Sequence, residues 1–168
     1  MKQAPVTDSI KILGSGEAAS LIEGINFSQV LHDFRYELAK DESAAFANQS
    51  TPDGQAWAPL AKATQQRKGR NSILVNTGAL RASLVDVDGA GNIDVITSHE
   101  LVYGTEIDYA TFHETGTQLM PARPVIGMSA DTANQLASQI ADATAADTAP
   151  KIADDIGDLV VQTDMTSQ

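Results

Sequence analysis

The strongest constraint on the fold is a run of apolar residues that recur at spacings of three and four between Leu21 and Phe46. This spacing predicts one amphipathic helix, with the intervening charged residues, Arg35 among them, on its polar face. Within the run, the Asn26 side chain can accept a hydrogen bond from a free amide at a helix start, so we predict a break there. The turn-forming Pro52-Asp53-Gly54 ends the helical region.

Strand patterns follow in the second half of the sequence. Residues 84–87 and 93–97 alternate between apolar and polar, and a glycine-rich stretch joins them, which predicts a β-hairpin. Residues 101–103 and 124–128 are the candidates for a third and a fourth strand. The sheet is therefore expected to be small and antiparallel.

Two further helices complete the predicted elements. A short one runs to Ser83, with Asn76 or Thr77 as its cap, and a longer one starts at Ser129 or Asp131 and ends before Pro150. The predicted fold class is α+β: a long N-terminal amphipathic helix, a small antiparallel sheet with a hairpin, and a C-terminal helix. Because only 5% of the 168 residues are aromatic, the core is expected to be rich in alanine and aliphatic side chains.

The length favours one domain with extensions at both ends. Residues 1–20 lack sustained periodicity and are predicted to form an irregular arm. Residues 21–149 form the α+β domain. Residues 150–168 are acidic and carry one short apolar stripe, which indicates a tail or a helix that docks on a partner.

Charge is segregated along the chain. The formal net charge is −11, which disfavours a protein that coats duplex DNA, yet residues 54–85 contain no acidic side chain. The basic residues of that stretch are Lys62, Arg67, Lys68, Arg70 and Arg81. We predict a mobile basic loop at residues 61–76. It is either a solvated surface loop, or packs on an acidic neighbour, or faces nucleic acid in a channel.

The residues of catalysis and metal binding are sparse. There is no cysteine, and the three histidines, His32, His99 and His113, do not form a metal-binding motif. A hydrolase that uses His113 with Asp108 or Glu114 is the enzymatic alternative, but no nucleophile motif accompanies it. We predict no catalytic residue, cofactor or metal. With neither a signal-peptide pattern nor a membrane-spanning run, the chain is expected to be made in the cytosol.

Two residues of the middle region have a predicted packing role. Trp57 can anchor its loop by burying a large ring, most simply within its own subunit. Arg123 lies between Pro121 and Pro124, which stiffen its backbone, so its guanidinium is expected to pair with an Asp or Glu of this subunit or the next.

An ordered series of short motifs runs from Phe27 to Ile140. It comprises Phe46, Pro52-Asp53-Gly54, Trp57, Pro59-Leu60, Thr64, Leu74, Thr77-Gly78, Leu80, Ser83, Tyr103-Gly104-Thr105, Tyr109-Ala110, His113, Gly116, Pro121-Ala122-Arg123-Pro124, Gly127 and Ser129. The series resembles the phage virion morphogenesis family, the Mu G-like tail completion proteins. The acidic end after Pro150 has no counterpart in that pattern.

This resemblance implies a structural, non-enzymatic virion protein that acts where the phage tail is finished and joined to the head. The expected partners are further copies in a hexameric or twelve-fold ring, tail terminator, tail tube or head connector proteins, and DNA in the channel. The interaction candidates are Trp57, Lys62, Arg67, Lys68, Arg70, His113 and Arg123. The alternatives are a tail terminator, a head-tail adaptor, a tube protein, and a DNA-binding module at the basic loop.

Overall fold

The computed structural model describes residues 5–13, 18–68 and 72–164. It confirms the α+β class. The elements in chain order are β1 (Val6–Lys11), α1 (Ala18–Glu23), α2 (Ser28–Asn48), α3 (Lys62–Lys68), α4 (Ala79–Val85), β2 (Asn92–Ile96), β3 (Glu100–Thr105), α5 (Ala110–Thr115) and α6 (Ala130–Asp164).

The N-terminal helical region is broken where the sequence predicts. Between α1 and α2, the Asn26 carboxamide oxygen accepts a hydrogen bond from the backbone amide of Ser28 at 2.9 Å. The helix α2 ends at Asn48, and Gln49 takes a left-handed conformation with φ 54°. The chain then turns at Pro52-Asp53-Gly54, as expected.

The sheet has the order β1-β3-β2, and both pairs are antiparallel. The prediction of an irregular arm over residues 1–20 is therefore wrong for Val6–Lys11, which pairs with β3 from Val6 opposite Thr105 to Lys11 opposite Glu100. The strand is held by backbone hydrogen bonds and mostly exposed, so it leaves little apolar pattern. A Cβ at Gly104 would lie 2.0 Å from the Val6 carbonyl oxygen, so this close approach requires glycine.

The predicted hairpin between residues 84–87 and 93–97 does not form, because its second strand pairs with β3 instead. Residues 92–96 do form a strand, β2, but it pairs with the predicted third strand, β3, across a turn at residues 97–99. Leu84 and Val85 belong to the helix α4, where Leu80 and Leu84 are both buried one turn apart. A short apolar run fits a strand or a buried helical turn equally well, and here packing against the core selects the helix.

The predicted strand at residues 124–128 does not form. The backbone amides of Val125 and Ile126 donate instead to one carboxylate oxygen of Glu114, at 2.8 and 3.1 Å. Because these amides are already satisfied by Glu114 of α5, the segment joins no described sheet.

The core has two clusters along α2. The first joins the N-terminal half of α2 to the sheet and α6, and includes Phe27, Phe34 and Leu101. The second joins the C-terminal end of α2 to α4, α5 and the loops, around Trp57 and Leu80. Together they fix the positions of the loops that form the candidate site.

The C-terminal helix α6 begins as predicted and ends later. The Ser129 hydroxyl caps it by accepting from the amide of Thr132 at 3.1 Å. The helix then continues through Pro150 to Asp164, so the predicted end before Pro150 is wrong. Proline fixes φ near a helical value, so a helix can continue through it at the cost of a hydrogen bond. The short helix α4 has Gly78 at its N-cap position, and the Thr77 hydroxyl accepts from the backbone amide of Ala79, the first residue of the helix, at 3.3 Å.

Candidate functional site

Two adjoining cavities of about 400 and 350 Å³ form a groove on the surface of the second core cluster. They share Leu60, Thr64, Met120 and Arg123. We call this surface the basic groove and define it by Leu60, Arg67, Lys68, His113, Leu119, Met120 and Arg123. Five of the seven interaction candidates concern it, because Trp57 supports its wall and four others line it.

One wall of the groove is the helix α3, which lies within the mobile loop predicted at residues 61–76. That assignment is wrong for Lys62–Lys68, a run of mostly good helix formers with too few apolar residues to show a periodicity. Arg67 and Lys68 line the groove, while Lys62 is exposed and does not line it. The Lys68 ammonium also donates to the carbonyl oxygens of Ser72 and Val75, at 3.1 and 3.4 Å. Arg70 lies outside the described residues.

Arg123 lies between the two cavities and is only 4% exposed. Its Nε donates to the Ala58 carbonyl oxygen at 2.9 Å, and its Nη2 donates to the Pro59 carbonyl oxygen at 3.2 Å. The predicted Asp or Glu partner is thus not found among the described residues of this subunit. The carbonyls of an irregular loop, which lack helix or strand partners, take that place. Burial lowers the pKa of Arg123, but a guanidinium stays charged.

Trp57 packs inside its own subunit, as predicted. It is 6% exposed, meets the Phe46 ring edge-on with 5.8 Å between ring centroids, and donates from Nε1 to the Pro124 carbonyl oxygen at 2.9 Å. The loop at residues 57–60 and the segment at residues 121–125 are therefore joined by two opposite sets of hydrogen bonds, one from Trp57 and one from Arg123. This double connection fixes the groove wall.

His113 stands on α5 with its ring half-buried and edge-on to Tyr109, 5.9 Å between centroids. Burial lowers the pKa of His113, and the nearby positive charges of Arg123 and Lys68 lower it further. A neutral imidazole results at neutral pH. Its buried Nδ1 atom has no hydrogen-bond partner in the described part of the chain.

The acid of the enzymatic alternative is engaged elsewhere. Burial raises the pKa of Glu114, and the Val125 and Ile126 amides that donate to its carboxylate oppose this rise. Its role is to hold the segment at residues 124–128. Asp108 is exposed and lines neither cavity of the groove. Neither Asp108 nor Glu114 therefore lines the groove beside His113.

The groove combines positive charge with apolar surface. Arg67, Lys68 and Arg123 line it, and none of its lining residues is acidic. Leu119 at its edge is 98% exposed, and Tyr109 and Phe112 on the adjacent helix are each 40% exposed. Such a surface suits a partner segment that carries both carboxylates and apolar side chains.

The helix α2 contains a buried ion pair that was not predicted from the sequence. Arg35, which it placed on the polar face, is fully buried, and its Nη1 lies 3.4 Å from a carboxylate oxygen of the fully buried Glu42. Arg35 lies four residues after Leu31 and three before Leu38, so the helical spacing already put it on the buried face. Arg35 was nevertheless assigned to the polar face because arginine is seldom fully buried.

The other candidate ligands do not form a site. His32 is exposed on α2, and His99 contacts Phe27 and the Ile22 carbonyl oxygen beside the sheet. Over the ranges that the structure describes, no group of three or more His, Cys, Asp or Glu residues could hold a metal ion. No helix in the same ranges combines the length and apolarity needed to cross a membrane.

A comparison with protein families matches residues 16–144 to the phage virion morphogenesis family, which covers more than three quarters of the chain. The chain belongs to the phage virion morphogenesis family. This confirms the resemblance and gives the protein a role in building the phage particle. Searches among curated proteins and among solved structures each found no match.

The motifs that carry the resemblance to the virion morphogenesis family converge on the groove. Those that line its cavities are Pro59, Leu60, Thr64, Leu74, Thr77, Gly78, Leu80, Tyr109, His113, Pro121 and Arg123. Gly116 shapes the same region, because a Cβ there would lie 2.7 Å from the Ala122 amide nitrogen. The groove is therefore the candidate functional surface of this family member.

Proposed function

We propose that this protein is a non-enzymatic structural subunit that completes the phage tail and joins it to the head, as a ring of identical copies at the neck. Family membership over residues 16–144 supports the assembly role. The basic groove supports a role through contact surfaces, because it combines cations with exposed apolar side chains, as a docking site does.

The single observation that supports a ring is the charge of the groove, whose described lining residues include cations and no acidic side chain. A basic surface does not pair with itself, so its contact with an acidic chain of net charge −11 must join two different surfaces. Contacts of this head-to-tail kind close into rings when the rotation between neighbours divides a full turn. The exposed Leu119, beside Tyr109 and Phe112, supplies apolar area for the same contact.

The proposed neighbours are the tail tube or tail terminator on one side and the head connector on the other. DNA would pass through the ring. The excess of acidic residues would repel phosphate from the channel wall and allow the DNA to slide, while the few basic residues of the groove engage protein.

The test measures the mass of the purified protein by mass photometry, alone and after mixing with tails from a phage that lacks it. We expect a closed ring in solution or on the tail end, and restoration of head-tail joining by the added protein. A protein that stays monomeric in both settings and binds no virion component would overturn the proposal.

A His113→Ala variant separates this function from the enzymatic alternative. We expect the variant to keep any ring and to change only the strength of contacts at the groove. Loss of a hydrolytic activity that the unmodified protein shows, with assembly unchanged, would favour the hydrolase.

A further inference from the structure

The helix α6 continues for about six turns past its last described contact with the first core cluster. Leu136, Ile140 and Ala143 are the last residues of this helix that pack into the first core cluster, as far as the described side chains show. The helix nevertheless continues to Asp164. At 1.5 Å per residue, the part after Ala143 is about 30 Å long, which is near the diameter of a small domain.

The sequence of this extension is acidic and amphipathic. Residues 150–164 contain Asp154, Asp155, Asp158 and Asp164 and a single cation, Lys151. Ile152, Ile156 and Leu159 follow one another at spacings of four and three. On a helix these three positions share one face, and an apolar face of this kind is stable only when it is covered.

The basic groove has the complementary chemistry. It offers the cations Arg67, Lys68 and Arg123 beside the apolar Leu60, Leu119 and Met120, and Leu119 is almost fully exposed. We propose that the basic groove of one copy binds residues 150–164 of α6 from a neighbouring copy. This contact rests on the proposed ring and supplies its head-to-tail link, in the manner of an amphipathic helix that docks in a groove.

The same features select this occupant over two others. The subunit's own extension would have to break α6 and fold back, whereas the structure has one continuous helix through Asp164. Nucleic acid is bound mainly through its phosphates, and the apolar Leu60, Leu119 and Met120 of the groove would contribute nothing to those contacts. Residues 150–164 of a neighbouring copy carry carboxylates that suit the cations of the groove and aliphatic side chains that suit its apolar wall.

Cysteine cross-linking tests the contact directly, because the natural sequence contains no cysteine. Copies that carry Leu119→Cys and copies with a longer tag that carry Ile156→Cys are co-expressed and oxidised. We expect a disulfide-linked pair of the two sizes. The matched control is Val95→Cys, on an exposed apolar residue of β2, combined with the same Ile156→Cys copy, and it should not cross-link.

Charge variants give an independent measurement. Replacing Asp154, Asp155 and Asp158 with Asn should raise the concentration for half-assembly about tenfold at low salt. The control replaces the exposed Asp86, Asp88 and Asp142 with Asn, which changes the net charge equally, and we expect less than about a twofold effect. Arg67→Glu should weaken assembly as much as the three substitutions in α6 do. Combining Arg67→Glu with Asp154→Lys, Asp155→Lys and Asp158→Lys should restore assembly.

The outcomes distinguish this inference from the ring itself. Rings that form without the cross-link, and that respond alike to both sets of Asn substitutions, overturn the groove contact and leave the ring standing. A disulfide confined to one copy that carries both cysteines overturns the choice of a neighbouring copy. If Arg67→Glu impairs tail attachment alone, another virion protein occupies the groove. If no assembly forms under any condition, the proposed function fails as well.

Discussion

Two buried arginines in this molecule are satisfied in different ways. Arg35 is fully buried, faces the carboxylate of Glu42, donates from Nη2 to the Leu84 carbonyl oxygen at 2.8 Å, and lies 5.5 Å from the centre of the Tyr103 ring. Arg123 is almost as buried, but its described hydrogen-bond partners are two carbonyl oxygens.

The difference separates a charge with a carboxylate partner inside the fold from one that, in our proposal, serves a contact between chains. Arg35 lies at the junction of the two core clusters, since Leu84 belongs to one and Tyr103 to the other. Above pH 8, where Glu42 is ionised, that carboxylate balances the charge of Arg35 inside the chain. Carbonyl dipoles orient Arg123 without neutralising it, so a positive potential remains in the groove. A carboxylate from another chain can supply the missing balance.

The largest expected effect is on the balanced arginine. Above pH 8, Arg35→Met should lower the free energy of unfolding by about 3–5 kcal/mol, because Glu42 loses its cationic partner and must either stay ionised in the core or take up a proton on folding. Urea denaturation measures this change. The control is Arg81→Met on the exposed face of α4, for which we expect about 0.5 kcal/mol or less. Equal effects of the two substitutions would contradict the balanced-charge interpretation.

The acidic member of the pair should make stability depend on pH. Burial raises the pKa of Glu42 from 4.5 to about 8, against the opposing effect of Arg35. A raised pKa in the folded state stabilises the fold most below pH 4.5, and this contribution is lost as the pH rises to about 8.

The unmodified protein should therefore lose stability relative to Glu42→Gln by about 1 kcal/mol per pH unit across that window. Denaturation of both proteins at several pH values measures the difference, in which the other carboxylates cancel. A difference that stays constant with pH would disprove the raised pKa of Glu42.

The unbalanced arginine should matter less for stability and more for assembly. Arg123→Met should lower the free energy of unfolding by about 1–2 kcal/mol, since it removes hydrogen bonds but strands no carboxylate. It should also weaken assembly, whereas Arg35→Met changes assembly only through stability. Arg123→Lys keeps the charge and should retain part of the assembly. A stability loss as large as that of Arg35→Met would remove the contrast between the two sites.

The smallest expected effect is on a neighbour of the groove arginine. The positive charge of Arg123 contributes to the lowered pKa of His113, after burial. In Arg123→Met, the pKa of His113 should therefore rise toward 6.5, as followed by NMR titration of the imidazole. Arg35 is not among the groups that shift His113, so Arg35→Met should leave that titration unchanged. Identical His113 titrations in all three proteins would mean that Arg123 does not act on it.

Much of the fold could be predicted from local patterns. The helix at residues 28–48, its break at Asn26, the turn after Asn48, the Ser129 cap and the strands around residues 93 and 102 all follow from spacing or capping chemistry. These signals act within a few residues, so the sequence displays them directly.

The errors came where distant residues decide the structure. β1 forms because Gly104 admits it, and residues 124–128 are not a strand because Glu114 takes their amides. At the site, Arg67, Lys68, His113 and Arg123 were identified individually, but their meeting around one groove depends on how α3, α5 and the loops pack. The carbonyl partners of Arg123 leave no trace in residue type, since every residue has a carbonyl.

The pairing of β1 with β3 has a consequence for biosynthesis. β1 leaves the ribosome before the helices α1 to α4 and β3 leaves after them, so the sheet cannot close until these helices have emerged. Until then, the residues of α1 and α2 that belong to the first core cluster lack their partners on β3 and stay exposed to solvent. A tag placed on β1 should therefore lower the yield of folded protein more than one attached after α6.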